Sequence, residues 1–210
     1  MEIKDWIKKN LKKDSIILEA GSYDGNDTLF LSEVASEGII YSFEPIPQLY
    51  KNSLSKVFSS KNVKLFDKAL SDKNGLDSIY LSDRFGMTWG SSSFLKPKEH
   101  LDVHPQITFN SEIEIECVSL DSFCKEHKIE IIDFMWLDMQ GYEPVVLFSA
   151  QETLLKVKYI YSEVSLIETY EGVMLYPEFK KKLEDFGFEV VFEDLPWVDM
   201  GNVLFKNKNK

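Results

Sequence analysis

Apolar positions in this chain fall into two kinds of run, some spaced like one face of a helix and some continuous over the length of a buried strand. Ile3, Trp6, Ile7 and Leu11 recur at helical spacing and predict an amphipathic helix within residues 1–13, packed on a sheet. Ile16, Ile17 and Leu18 form a short continuous apolar run, the mark of a strand covered on both faces of a parallel sheet. The run breaks into Gly21-Ser22-Tyr23-Asp24-Gly25, where two residues without a Cβ let the backbone turn tightly and approach a ligand. Asn26, Asp27 and Thr28 then start a helix with a predicted apolar face of Leu29, Phe30, Val34 and Ala35, ended by Gly38. Ile39 to Phe43 reads as a second strand ending at Glu44-Pro45. Pro47 suits the first turn of the next helix, whose predicted face is Tyr50, Leu54, Val57 and Phe58.

Val63 to Phe66 is a third strand, and the alternation so far predicts a parallel sheet with right-handed crossovers. The pattern then changes. Ser78 to Leu81 reads as a short strand, Arg84 to Pro105 as a long loop, functional or disordered, and Ile113, Ile115 and Cys117 alternate with glutamates as an edge strand pairing with Ser78 to Leu81. Leu120, Phe123, Cys124 and His127 share a helical face, Ile131 to Leu137 is a fourth core strand and Tyr159 to Val164 a fifth. Pro177 to Phe186 predicts a helix stopped by Gly187. Phe188 to Phe192 and Val203 to Phe205 close the chain as two strands around a turn at Asp199 to Asn202. The expected fold is α/β: one domain over residues 1–210, a seven-strand mostly parallel sheet with an antiparallel last strand, and a small inserted β-hairpin with its loop at residues 76–118.

Composition narrows the function. The 210 residues suffice for one domain with a sizeable core, and 35 acidic against 24 basic residues give a net charge of −11. That charge repels phosphate backbones and anionic lipids, so nucleic acid is not an expected partner. No transmembrane run or signal peptide is visible, and the expected location is the cytoplasm. Cys117 and Cys124 lack a redox or metal spacing and read as ordinary thiols.

Candidate chemistry gathers at the carboxyl ends of the predicted parallel strands, where open α/β sheets bind ligands: Glu19 with Asp24, then Glu44, then Asp138. Glu44, about twenty residues after the glycine turn, suits the two hydroxyls of a ribose. The turn has two glycines instead of the three of a dinucleotide fingerprint, and Glu19 and Asp24 beside it would repel a pyrophosphate. S-adenosylmethionine, with an ammonium, a sulfonium and no phosphate, is the better electrostatic match. Asp24 also reads as a turn or helix-capping aspartate, and Glu44 as a strand-end surface acid.

These segments resemble the FkbM family of S-adenosylmethionine-dependent methyltransferases. The resemblance rests on E-A-G-S-Y-D-G-N-D-T at 19–28, F-E-P at 43–45, K-A-L-S-D-K-N-G at 68–75, G-S-S-S-F at 90–94, V-S-L-D-S-F at 118–123 and L-D-M-Q-G-Y-E at 137–143. Two departures are Glu19, where the family usually has Asp, and the neutral Gln140, where it often has an acid. The resemblance implies a Rossmann-like class I methyltransferase fold. It further implies cofactor binding by Glu19, Gly21, Ser22, Asp24, Gly25 and Asn26 around the methionine part, by Glu44 on the ribose, by Ala69 and Leu70 near the adenine, and by Asp138 close to the methyl group. It implies O-methylation of a carbohydrate or related small-molecule or glycan acceptor. An aliphatic alcohol must lose its proton, and Asp138 is the first candidate base and Glu163 the second, with a divalent ion on these two acids as an alternative. Other readings are a nicotinamide-dependent oxidoreductase and a non-catalytic cofactor-binding module.

Around this site the sequence offers further candidates. His100 and His104 read as a solvated loop pair and His127 as a packed histidine. Trp89 and Ser91 to Ser93 read as a loop over the cofactor or acceptor. Tyr170, Tyr176 and Trp197 are a possible aromatic platform for the acceptor, or ordinary packing.

Overall fold

The structure is a computed structural model that describes residues 2–210. In chain order the elements are α1 (Ile3–Asn10), β1 (Ile16–Ala20), α2 (Asn26–Val34), β2 (Ile39–Phe43), α3 (Pro47–Val57), β3 (Val63–Phe66), β4 (Ala69–Ser71), β5 (Gly75–Arg84), β6 (Met87–Thr88), α4 (His100–Val103), β7 (Thr108–Ser119), α5 (Leu120–Glu126), β8 (Ile132–Leu137), α6 (Glu143–Ser149), α7 (Gln151–Leu154), β9 (Val157–Ser165), α8 (Tyr176–Asp185), β10 (Phe188–Asp194) and β11 (Met200–Asn207). Among these residues no helix is long and apolar enough to cross a membrane.

The main sheet has seven strands in the order β10-β11-β9-β8-β1-β2-β3, with β11 antiparallel to both of its neighbours and the rest parallel, as the sequence leads one to expect. Successive side chains of each strand serve opposite faces. On one face Leu18, Tyr41, Met135 and Ile160 pack against Phe123, Val146, Leu147 and Phe179 of the later helices. On the other, Ile17, Ile40, Phe134 and Leu204 pack against Trp6, Ile7 and Leu31. The chain runs from β1 outward to β2 and β3, then returns to β8 on the other side of β1, and that reversal opens a crevice at the carboxyl ends of β1 and β8.

The inserted element is larger than the expected hairpin. β5 and β7 pair antiparallel, but β4 adds parallel to β7 and β6 antiparallel to β5, giving a second sheet in the order β4-β7-β5-β6 in which β7 is interior and not an edge. The expected long loop is likewise built up. It holds β6 and α4, bridges Ser93 to Tyr80 and Pro97 to Tyr170, and takes backbone bonds from Lys98 and His100 to Thr169. Loop composition hid this because the partners lie far away along the chain.

Two helix faces are rotated from the expected ones. In α2 the buried positions are Thr28, Leu31 and Ser32, with Phe30 and Val34 only partly covered. In α3 they are Leu49, Ser53 and Val57, while Leu54 and Phe58 are 43% and 87% exposed. The small Ser53 is favoured inside because Gly25 comes so close that an added Cβ would lie 2.9 Å from the Ser53 Cα. The last turn also differs, since β11 already starts at Met200 and Asp199 is buried.

Candidate active site

Pairing register brings the predicted residues to one edge. Ala20 lies between Phe43 of β2 and Leu137 of β8, so Gly21, Glu44 and Asp138 follow side by side. Gly21 has φ +89°, and a Cβ there would fall 1.9 Å from the backbone oxygen of Asp138, so only glycine lets the two strand ends close up. The amides of Gly21 and Ser22 both donate to the Phe43 carbonyl, at 3.0 and 3.1 Å, which ties the turn to β2. Gly25 caps α2 in the left-handed conformation. Tyr23 donates its amide to Glu44 Oε2 at 2.9 Å, and Ile46 donates to Glu44 Oε1 at 3.0 Å. Glu44 is therefore buried and bound to the backbone, not a surface acid. Burial pushes its carboxyl up to about 7 against the pull of those two amides.

A cavity of about 480 Å³, within the size range of small-molecule sites, opens over this edge. Gly21, Ser22, Tyr23, Asp24, Asp27, Glu44, Ala69, Leu70 and Asp138 line it, and the inserted sheet and its loop supply Ile79, Arg84, Trp89, Ser91, Ser92, His100 and His104. The expected covering loop thus does face the cavity. Ser22 is fixed by its hydroxyl on Ser53 at 3.0 Å. Asp24 both lines the cavity and caps the helix start, accepting from the Asn26 amide at 3.0 Å and from the Asn26 side chain at 2.5 Å. Asn26 is spent on Asp24 and is not on the wall.

Glu19 takes a position other than the expected one. Strand alternation turns it under α2, where Thr28 and Ser42 each donate to its Oε2 at 2.6 Å and its Oε1 is buried without a partner. It does not line the cavity, and burial pushes its carboxyl up to about 7. The proton is favoured in the fold, so Glu19 contributes stability fully below its ordinary value of 4.5, and that contribution is lost as pH rises through about 7. At about 1.4 kcal/mol per unit the effect is on the order of 3 kcal/mol. Thermal unfolding is expected at a lower temperature near pH 8.5 than near pH 5.5, and Glu19→Gln, which keeps an acceptor for Thr28 and Ser42, is expected to flatten that slope. An unchanged slope in the variant would refute the assignment.

One register step beyond the Leu137–Ser162 pair, Asp138, just past the end of β8, is the neighbour of Glu163 on β9. Asp138 is exposed to the cavity. Glu163 is 8% exposed and lies behind Gln140, off the cavity wall. The Gln140 side-chain amide donates to both, at 2.8 Å to Asp138 Oδ1 and 2.7 Å to Glu163 Oε2. Burial, then the adjacent Asp138 charge, hold the Glu163 carboxyl well above the usual range. Glu143, also buried, accepts the Met139 amide at 2.6 Å and is pushed up to about 8 by burial. Oxygens of Asp138, Glu143 and Glu163 lie within 4.8 Å of one another, and the Gln140 amide bridges two of these acids, Asp138 and Glu163.

Sequence reasoning missed several residues. His100 is not solvated but fully buried, with neither ring nitrogen partnered, and burial followed by its neighbour His104 pushes it down to about 4. The His104 Nε2 lies 2.7 Å from the buried Asp199, a pairing 95 residues apart that no local pattern signals. Arg84 was visible in sequence only as the chain's single arginine. The aromatic platform does not form: Tyr170 is buried with its hydroxyl directed to the Ser91 carbonyl and Gln140 Oε1, Tyr176 is buried at the start of α8 with its hydroxyl on Glu193, and the exposed Trp197 lies off the wall. His127 packs on Phe123, and both cysteines are free, buried and pushed up to about 11 by burial.

Comparison with known proteins bears on the family and the fold. A family model described as the methyltransferase FkbM domain matches residues 19–190. The 2-O-methyltransferase NoeI of Sinorhizobium fredii is 34% identical over 164 residues, which cover 77% of this chain and 68% of that protein. Among solved structures, the fibrillarin pre-rRNA processing protein of Methanococcus jannaschii superposes with a TM-score of 0.56 at 15% identity, covering 95% of this chain and 69% of its own. Aeropyrum pernix fibrillarin, crystallised with natively bound S-adenosyl-L-methionine, superposes with a TM-score of 0.53 at 15% identity, over 97% and 73%. At that identity the structures establish a shared fold.

Proposed function

The chain belongs to the FkbM methyltransferase family, and from that premise we propose that it moves the methyl group of S-adenosylmethionine to a hydroxyl of a carbohydrate or related small molecule. The observation that carries the reading is an acid-lined cavity over a glycine turn whose helix start is already capped by Asp24. With the Asn26 amide spent on that carboxylate, the helix N-terminus is no cradle for a pyrophosphate, and Asp24, Asp27 and Asp138 suit an ammonium and a sulfonium. The oxidoreductase alternative falls with the family membership.

The residues present fit the cofactor. Glu44 uses one lone pair of each oxygen on the backbone and keeps others for ribose hydroxyls. Ala69, Leu70 and Phe43 give an apolar wall for the adenine, and the turn from Gly21 to Gly25 receives the methionine part. When bound, S-adenosylmethionine supplies a methyl group already activated by positive sulfur, so the protein's tasks are alignment and removal of one proton. Asp138 is the base. Gln140 fixes its Oδ1 at 2.8 Å, Gly21 fixes its backbone, and Asp138 faces the cavity while Glu163 is buried off the wall behind Gln140. Glu163 is thereby a positioning residue and not a second base.

The reading is tested by calorimetry with S-adenosylmethionine, expected to bind in the micromolar range, and by transfer of labelled methyl to a panel of glycosides with free hydroxyls. Absence of binding at high micromolar concentration would sink it. Asp138→Asn is expected to lower transfer by about 10²–10⁴-fold while affinity for S-adenosylhomocysteine, which lacks the sulfonium, changes by less than about threefold.

A further inference from the structure

The acid-lined cavity carries one fixed positive charge. Arg84 ends β5, is half-buried and lines the cavity, where no lysine of the described residues reaches. Its guanidinium carbon lies 4.6 Å from the ring centre of Trp89 and 5.7 Å from that of Phe85, so aromatic faces hold the planar group in place. Its Nε is buried with no hydrogen-bond partner, and among the described residues Arg84 enters no ion pair. A guanidinium that is partly desolvated, oriented and left unpaired beside four cavity-lining carboxylates is arranged for something other than those carboxylates.

Its location says what. Trp89, under Arg84, meets the Tyr23 ring edge-on at 6.1 Å, and Gly90 lies against the same ring, where even an added Cβ would sit 3.4 Å from it. Tyr23 is the middle of the glycine turn, so these contacts suspend Arg84 over the end of the cavity assigned to the methionine part. That part of the cofactor carries the molecule's single negative charge. The acids around the turn suit its positive groups but repel its carboxylate, and the first amide of α2 is already taken by Asp24. We infer that Arg84 binds the carboxylate of the methionine part, clamping that end of the cofactor from the inserted sheet while the turn holds it from the main sheet. The inference rests on the cofactor reading above. A carboxylate on the acceptor is the other ligand with the same chemistry.

Calorimetry on the full chain separates the two, using S-adenosylhomocysteine and its decarboxylated analogue as probes. The wild-type chain is expected to prefer the carboxylated ligand. Arg84→Gln is expected to weaken S-adenosylhomocysteine by about 10–100-fold and the analogue by less than about threefold, with Arg84→Lys in between for the first ligand. Equal loss of both ligands, or full retention of the first, in a variant whose melting is unaltered would overturn the inference and leave the guanidinium for an acceptor carboxylate. Should loss of the guanidinium stacked on Trp89 unfold the glutamine variant, Arg84→Lys carries the same comparison. Failure of the wild-type chain to bind either probe would overturn the cofactor reading itself.

Discussion

Replacing Gly21 by alanine is expected to destabilise the protein by about 3 kcal/mol or more and to abolish cofactor binding. Two penalties combine at this residue. The backbone is in the left-handed region at φ +89°, which a Cβ disfavours by about 1–2 kcal/mol. The added atom would also fall 1.9 Å from the Asp138 backbone oxygen, so β1 and β8 must separate at the edge that builds the cavity. Gly25→Ala is a milder comparison, since its Cβ would meet Ser53 at 2.9 Å on a helix that can shift. Urea unfolding and calorimetry with S-adenosylhomocysteine measure both effects. A Gly21→Ala variant as stable as the parent would show that the strand ends are not held in contact.

Glu44→Ala is expected to lower affinity for S-adenosylhomocysteine by more than tenfold and stability by about 2–4 kcal/mol. The stability loss comes from the Tyr23 and Ile46 amides, which lose their only acceptor in a buried place. The relief of a buried carboxyl pushed up to about 7 offsets part of it at alkaline pH. The affinity loss comes from the ribose contact and from the turn, which Tyr23 no longer anchors. Thermal unfolding with and without ligand separates the two. Unchanged affinity in a folded variant would remove Glu44 from the ribose role.

Much of this architecture was legible because parallel strands covered on both faces must be apolar throughout. Ile16 to Leu18, Ile39 to Phe43 and Ile131 to Leu137 could be read as strands for that reason, and the acids and glycines at their ends could be read as a site because such ends collect ligands. Helix faces were less legible. Val57 is buried as expected, but Leu54 and Phe58 are as apolar as Leu49, and what favours Leu49 and Ser53 inside is the close passage of Gly25 over Ser53, a contact between segments 28 residues apart.

By itself the sequence determined the order of the seven main-sheet strands, the family resemblance and the position of the glycine turn, because these follow from local periodicity and from residues close together in the chain. Only the tertiary structure decided which acids face the cavity. Alternation buries Glu19 beneath α2, Gln140 screens Glu163, and Asp138 alone of that group is left open to the cavity. It also decided that Arg84, His100 and His104 reach the same cavity, since they arrive on an inserted sheet whose pairing partners are distant in sequence. Burial and charge depend on neighbours from other elements, and no window of the chain contains those neighbours.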